Sequence, residues 1–379
     1  MPEYDLLIKA GRVFCRATGL NGLGEIAIAG SRIMASGPVV AGSAAETLQF
    51  PDGIAVPGLI DLHTHPAPPD WKYGIDPDSQ ILSRGVTTVL SQGDAGASNW
   101  ERYKQEIIGV SRTRVRMALS ASKHGEEPAG FCFEDMDNLD IDAAVEAING
   151  DPDLIWGVSF NSASAACGKA DPRGVMDRAL RIAIETGKPL MFGNRWEPYD
   201  WPIEEQLRLL RGGDVLTYCF HTGPNNILDN SGKVLGAVWN AKARGVRFDV
   251  GHGMMSFDFQ VAETAIGAGL TPDTISTDQY KRHSNLIPRH DLPRTMSKLI
   301  AAGLPLEEAL ERATSSPASV LGMQGEIGTL AAGACADVTV LEWDHSAQAL
   351  TDVSGTPRPG PVLVPVLTVR SGKIVRSFE

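Results

Sequence analysis

The chain has 379 residues, 43% hydrophobic and 21% charged, with no low-complexity tract. That is long enough for one large core, or a barrel with a small satellite. A formal net charge of −12 lacks the basic footprint that nucleic acid or an anionic membrane would need, while a small anionic substrate could still find a local cationic pocket.

No apolar run is long enough to cross a bilayer. Met1-Pro2-Glu3-Tyr4-Asp5 has neither the basic nor the apolar region of an export signal. Cys15, Cys132, Cys167, Cys219 and Cys335 are odd in number, widely spaced and without a C-x-x-C pair. They read as free thiols, and the expected compartment is the cytoplasm.

Residues 5–56 read as short strands and turns. Leu6–Lys9, Glu25–Ile28 and Arg32–Met34 are separated by Gly11, Gly30-Ser31 and Gly37-Pro38. Strands without helices point to a small antiparallel sheet.

At residue 57 the pattern changes. Pro57-Gly58 turns into Leu59-Ile60-Asp61-Leu62, a buried strand that runs into His63-Thr64-His65. Side chains alternate along a strand, so both imidazoles face one side, as a metal-ligand pair does. The competing reading is a pair of hydrogen-bonded barrel-end histidines. From there to about residue 280 strands and helices alternate. Candidate strands are Leu59–Leu62, Val86–Leu90, Val115–Leu119, Ile155–Phe160, Pro189–Phe192, Val215–Phe220, Val246–Val250 and Thr274–Thr277. The clearest helix starts at Asp171-Pro172, carries Met176, Ala179, Leu180 and Ala183, and stops at Gly187. This is an α/β chain, and repeated strand-helix units predict a (β/α)8 TIM-type barrel. A doubly wound sheet competes, but no Gly-rich phosphate loop follows a strand.

Helical stretches follow at Leu292–Ala302 and Pro305–Ala313, then a short helix from Ser315 to near Gly322. Strand-and-turn patterning returns in Val338–Leu341 and Val366–Val369. The two ends are alike in style. Residues 1–56 and 325–379 are therefore expected to form one discontinuous β-sandwich-like domain, with 57–324 as the catalytic barrel.

Three stretches carry a family likeness: Pro57 through His65, Ser276-Thr277-Asp278, and the tail from Ser316-Pro317-Ala318 through Gly325-Glu326-Ile327-Gly328 to Ala336-Asp337-Val338. Together they resemble the amidohydrolase superfamily of metal-dependent hydrolases, over essentially the full length. Gly85-Val86-Thr87-Thr88-Val89 and Phe248-Asp249-Val250-Gly251-His252-Gly253 are most similar to its dihydroorotase-like and acetyl-hydroxyacid-esterase-like branch. The resemblance implies a binuclear site built from the H-x-H pair, a carbamylated lysine on strand four, histidines on strands five and six, and an aspartate on strand eight. Here His63, His65 and Asp278 match. Ser159 stands at the lysine place, Gly193 at the strand-five histidine place and Tyr218 at the strand-six histidine place.

Without those ligands two divalent ions would repel each other almost unscreened. One ion on His63, His65, Asp278 and water still completes four-coordination, and zinc is the expected metal. No ion and two ions are the alternatives, and Cys219, His221 or Tyr218 could supply a further ligand. Asp278 is the expected catalytic base. Arg195, Trp196, Tyr218, His221, His252 and Arg282 are candidate substrate-binding residues, all at or just after predicted strand ends. Gly193 is expected to leave room for a planar group stacked on Trp196, with Arg195 pairing a carboxylate. In the alternative, Trp196, Tyr199 and Trp201 pack their loop onto the barrel. Cys167 and Ser162–Ser164 show no adjacent base that would make a nucleophile.

The expected function is hydrolysis of an amide, cyclic amide or ester bond in a small, possibly carboxylate-bearing molecule, by a homo-oligomer without nucleic-acid or membrane partners. The rivals are a metal-free ligand-binding barrel and a lyase or decarboxylase on the same fold.

Overall fold

Two seven-stranded sheets organise the chain, and a computed structural model describes residues 2–195 and 198–375 of it. The N-terminal strands are β1 (Tyr4–Cys15), β2 (Leu20–Ala29), β3 (Arg32–Gly37) and β4 (Ala44–Pro57). The barrel strands are β5 (Leu59–Thr64), β6 (Val86–Gln92), β7 (Arg114–Ser120), β8 (Ile155–Asn161), β9 (Leu190–Gly193), β10 (Val215–Thr217) and β11 (Arg247–Phe248). The C-terminal strands are β12 (Val338–Asp344), the two-residue pair β13 (Leu350–Thr351) and β14 (Pro357–Arg358), then β15 (Val362–Arg370) and β16 (Lys373–Val375).

The two ends of the chain meet in one mixed sheet, in the order β16-β15-β12-β4-β1-β2-β3. β4 is its joint: it lies parallel to β1 and antiparallel to β12. One face of this sheet buries Ile8, Ile26, Ile28, Val338 and Val340 in a core of its own. Phe14, Ile54, Val56, Leu341 and Leu363 instead join the large core of the barrel and its helices. A buried ion cluster bolts the two sheets together: Asp337, just before β12, accepts from Arg114 of β7 at 2.7 Å and from Arg370 of β15 at 3.2 Å.

β5 to β11 follow one another in sequence order, all parallel. The helix between β8 and β9, Pro172–Glu185, has the start read from the sequence, with the Asp171 carboxylate accepting the Arg173 amide. It stops at Gly187, whose φ of 65° suits glycine.

The last staves differ from the expected strands. β10 ends at Thr217 because Tyr218 takes a φ of 70°. β11 has two residues, because Gly251 and Gly253 both turn at φ 49°. Residues 274–279 close the barrel without forming a regular strand. Isolated parallel bridges join Thr274 to Asp249 on one side and Gln279 to Thr64 on the other. The Thr277 amide donates to the Asp61 carboxylate rather than to a ladder carbonyl, and Asp278 sits at φ 50°. The backbone there is held by side-chain hydrogen bonds as well as by backbone ones to both neighbouring staves.

Candidate active site

His63 is the next-to-last residue of β5 and His65 follows the strand's end, so both imidazoles point into the barrel mouth. The Asp278 amide donates to the His63 carbonyl at 2.7 Å and the His65 amide to the Gln279 carbonyl at 2.9 Å. Asp61 clamps the junction, accepting the His63 and Thr277 amides and the Thr277 hydroxyl. As a result one ligand atom from each of His63, His65 and Asp278 lies within 4.8 Å of the other two. Asp278 Oδ1 is 3.4 Å from His63 Nε2 and 3.3 Å from His65 Nε2.

The partners of the two rings fix what they present. His63 Nδ1 lies 2.9 Å from the Thr217 hydroxyl, which itself donates to Asp249. That hydroxyl can therefore only accept from His63, so Nδ1 carries the proton and the Nε2 lone pair faces the cluster. Asp249 is saturated in turn by Thr274 and Ser276. His65 Nδ1 donates to Asp94 at 2.9 Å, and Asp94 also accepts from Ser91. Its Nε2 faces Asp278 and becomes a ligand lone pair when a cation takes the place of its proton. Two imidazole Nε2 atoms and a carboxylate converge in a buried pocket.

The electrostatics fit a cation. Burial holds His63 neutral, with its pKa down at about 4. Burial also opposes charge on His65, yet Asp94, Asp278 and Glu126 carry its pKa well above the ordinary imidazole value. Burial would raise the Asp278 carboxyl, but His63 and His65 hold it below its usual range. The local field is negative and draws positive charge to His65. A divalent ion suits this donor set of two Nε2 atoms and one carboxylate. Among the described residues no other group of three His, Cys, Asp or Glu side chains converges in this way.

Ser159 of β8 is buried and faces Gly93, where an added Cβ would come within 3.0 Å of the serine hydroxyl. Gly193 does not open the expected room. A Cβ there would meet Tyr218 Cε2 at 2.9 Å and Asn161 Cγ at 3.1 Å. The Tyr218 ring has taken that space, and its hydroxyl lies 3.3 Å from His63 Nε2.

The other candidates divide. Arg195 joins the site: its guanidinium sits 3.9 Å over the Tyr218 ring and donates to Ser256. Trp196 lies outside the described residues. Trp201 packs its loop on the barrel against Phe192, as the packing alternative expects, and Tyr199 is exposed. His221 is buried, with Nδ1 accepting the Gly223 amide and Nε2 donating to Asn194. Cys219 is buried in the large core. His252 belongs to a neighbouring group, bonded to Lys298 at 2.8 Å. Arg282 is exposed on the 281–283 turn. Burial raises the Cys167 thiol to about 12, which leaves it unreactive.

Sequence reasoning missed four side chains. Asp94 and Asp249 orient the histidines. Glu126 lies 3.9 Å from His65 Nδ1, its pKa raised to about 7 by burial. Tyr73 flanks the His65 ring at 5.2 Å. The available signal was position: Asp94 and Asp249 both sit just past a strand's C-terminal end, where barrel sites are built.

The amidohydrolase family model matches residues 237–375. A protein of Enterococcus faecalis named deacetylase is 34% identical, with 98% of this chain and 99% of that one aligned. The chain belongs to the amidohydrolase superfamily. It is an enzyme of that hydrolase type. Among solved structures, a crystal structure of an adenine deaminase superimposes with a TM-score of 0.88 at 32% identity, over 98% of this chain and 99% of that one. One of a dihydroorotase gives 0.86 at 29% identity, over 98% and 97%. Such relatives place the barrel and its α/β architecture. Their names cover different leaving groups.

Proposed function

We propose that this amidohydrolase removes an acyl group, acetyl in the first instance, from the nitrogen or oxygen of a small molecule. It would use one divalent ion, with zinc as the first choice, held by His63, His65 and Asp278. The observation that carries this is the convergence of the Nε2 atoms of His63 and His65 on one carboxylate oxygen, at 3.4 and 3.3 Å. The relatives named deacetylase supply the acyl preference.

Bound there, such an ion supplies Lewis-acid polarisation of a carbonyl and lowers the pKa of water. The chain's own groups do the rest. Asp278 takes the proton of the attacking water and passes it to the departing nitrogen or oxygen. Burial keeps the Tyr218 hydroxyl protonated, so it can donate to the carbonyl oxygen as charge gathers on it. The five cysteines are free and mostly buried, which supports a reducing compartment. No helix among the described residues is long and apolar enough to cross a membrane.

The test is hydrolysis of a panel of N-acetyl and O-acetyl compounds by zinc-supplemented protein, repeated after chelation and after zinc is restored. Acetate release that is lost and regained with the metal supports the reading. A metal-loaded protein that releases no acid from any member would favour the lyase or ligand-binding alternatives.

A further inference from the structure

Beside the metal cluster, on the far side of Gly253, lies a cavity of about 250 Å³ that the chemistry above does not use. Gly253 is where the two meet: it lines the cavity, and the Cβ it lacks would come within 2.3 Å of Asp278 Oδ2. The floor is made of Lys298, His252, His283 and His290.

These floor groups are short of acceptors. Lys298 is 6% exposed. Among the described residues its ammonium has one acceptor, His252 Nε2 at 2.8 Å. The other His252 nitrogen donates to the Gly253 carbonyl, so two ammonium protons are left over. His283 Nδ1 accepts the Tyr280 amide at 3.2 Å. In the neutral ring its proton is then on Nε2, and that atom is buried with no hydrogen-bond partner. A buried donor without an acceptor is destabilising, so a ligand that supplies one is favoured. Arg289 adds an exposed cation at the cavity wall. Asp352 also borders the cavity; it accepts the amides of Ser354, Thr356 and Phe259 and makes no hydrogen bond to Lys298.

The mouth is apolar. Met254, Leu286 and Ile287 border the cavity and are 41%, 38% and 90% exposed. Donors on the floor and hydrocarbon at the rim describe an amphipathic acid.

We propose that this cavity binds the carboxylate of a small acid with an apolar body, with Lys298 and His283 Nε2 as the donors and Met254, Leu286 and Ile287 around the apolar part. The inference deepens the proposed function: the acid is the arm of the acylated substrate, held one glycine away from Asp278.

Two measurements test it. The first is calorimetric binding of phenylacetate to the intact zinc-supplemented protein, its Lys298→Met variant and its Arg289→Ala variant. Binding that weakens at least tenfold in Lys298→Met and less in Arg289→Ala is expected. Phenylacetate that fails to bind, or that binds all three proteins equally, overturns the site. This arm needs no turnover, so it stands even if the hydrolysis reading fails. The second is the ratio of kcat/KM for N-acetylphenylalanine over its amide. A preference for the acid that falls at least tenfold in Lys298→Met, mainly through KM, is expected for the substrate arm. An unchanged ratio together with lost phenylacetate binding overturns the substrate assignment and identifies a free acid as the occupant. Should Lys298→Met not fold, His283→Phe removes the second donor and is read in the same two ways.

Discussion

His63 is gripped from both sides by neighbours in sequence. The Thr217 hydroxyl holds Nδ1 and the Tyr218 hydroxyl approaches Nε2. A regular strand would point these two residues to opposite faces; the φ of 70° at Tyr218 lets both reach one ring. Tyr218→Phe is therefore expected to leave metal binding intact and to lower kcat by roughly tenfold to a thousandfold, the cost of losing one donor to a developing oxyanion. Steady-state kinetics on any substrate found in the acetyl panel will decide it, and an unchanged kcat would reduce Tyr218 to packing. Asp278→Asn should lose on the order of 10²–10⁴-fold in kcat while the fold persists, because an amide cannot take the proton. Near-native turnover with metal bound would move the base elsewhere, with Glu126 the nearest spare carboxylate. The H-x-H pair and Asp278 were legible because strand alternation and a family motif both mark them. The space beside Gly193 was misread because a missing side chain says nothing about which neighbour has moved in.

At the scale of elements, β5 to β9 matched their sequence patterns closely, since continuous apolar runs define buried parallel strands. The last three staves did not. Their geometry depends on Gly251, Gly253, Tyr218 and Asp278 in left-handed backbone, and on side chains such as Asp61 replacing ladder partners, none of which shows as periodicity. The helix Leu292–Ala301 brings Lys298 to the wall beside the site. Burial, with Arg294 close by, lowers that lysine's pKa to about 7, against the opposite pull of Asp352 and Asp291. The folded protein therefore binds fewer protons than the unfolded chain between about pH 7 and the ordinary lysine value. Stability contributed through Lys298 must rise with pH across that window. Comparison with Lys298→Met by denaturant titration should show wild type gaining on the variant between pH 7 and 9. A gap that does not change with pH would mean the ammonium is not held below its ordinary value.

Across the whole molecule, the strand-only ends and the alternating middle announced the two sheets. Their wiring was not legible, because β4 pairs with β1 on one side and, on the other, with β12 from the far end of the chain, as in Ala55 with Val340. The Asp337 cluster spans that join. Asp337→Ala would strand Arg114 and Arg370, whose side chains are only 11% and 13% exposed. The expected cost is about 3–5 kcal/mol, seen as a lower denaturant midpoint, with kcat per folded molecule unchanged. A midpoint within error of wild type would show that the sheets do not depend on this bolt.

The central claim is a single ion on His63, His65 and Asp278. Its most direct test is elemental analysis of protein grown with zinc and freed of loose metal, run beside the His63→Ala variant. About one zinc per wild-type chain, and none in the variant, is the expected result. Two tightly held ions per chain, or an undiminished content in His63→Ala, would contradict it.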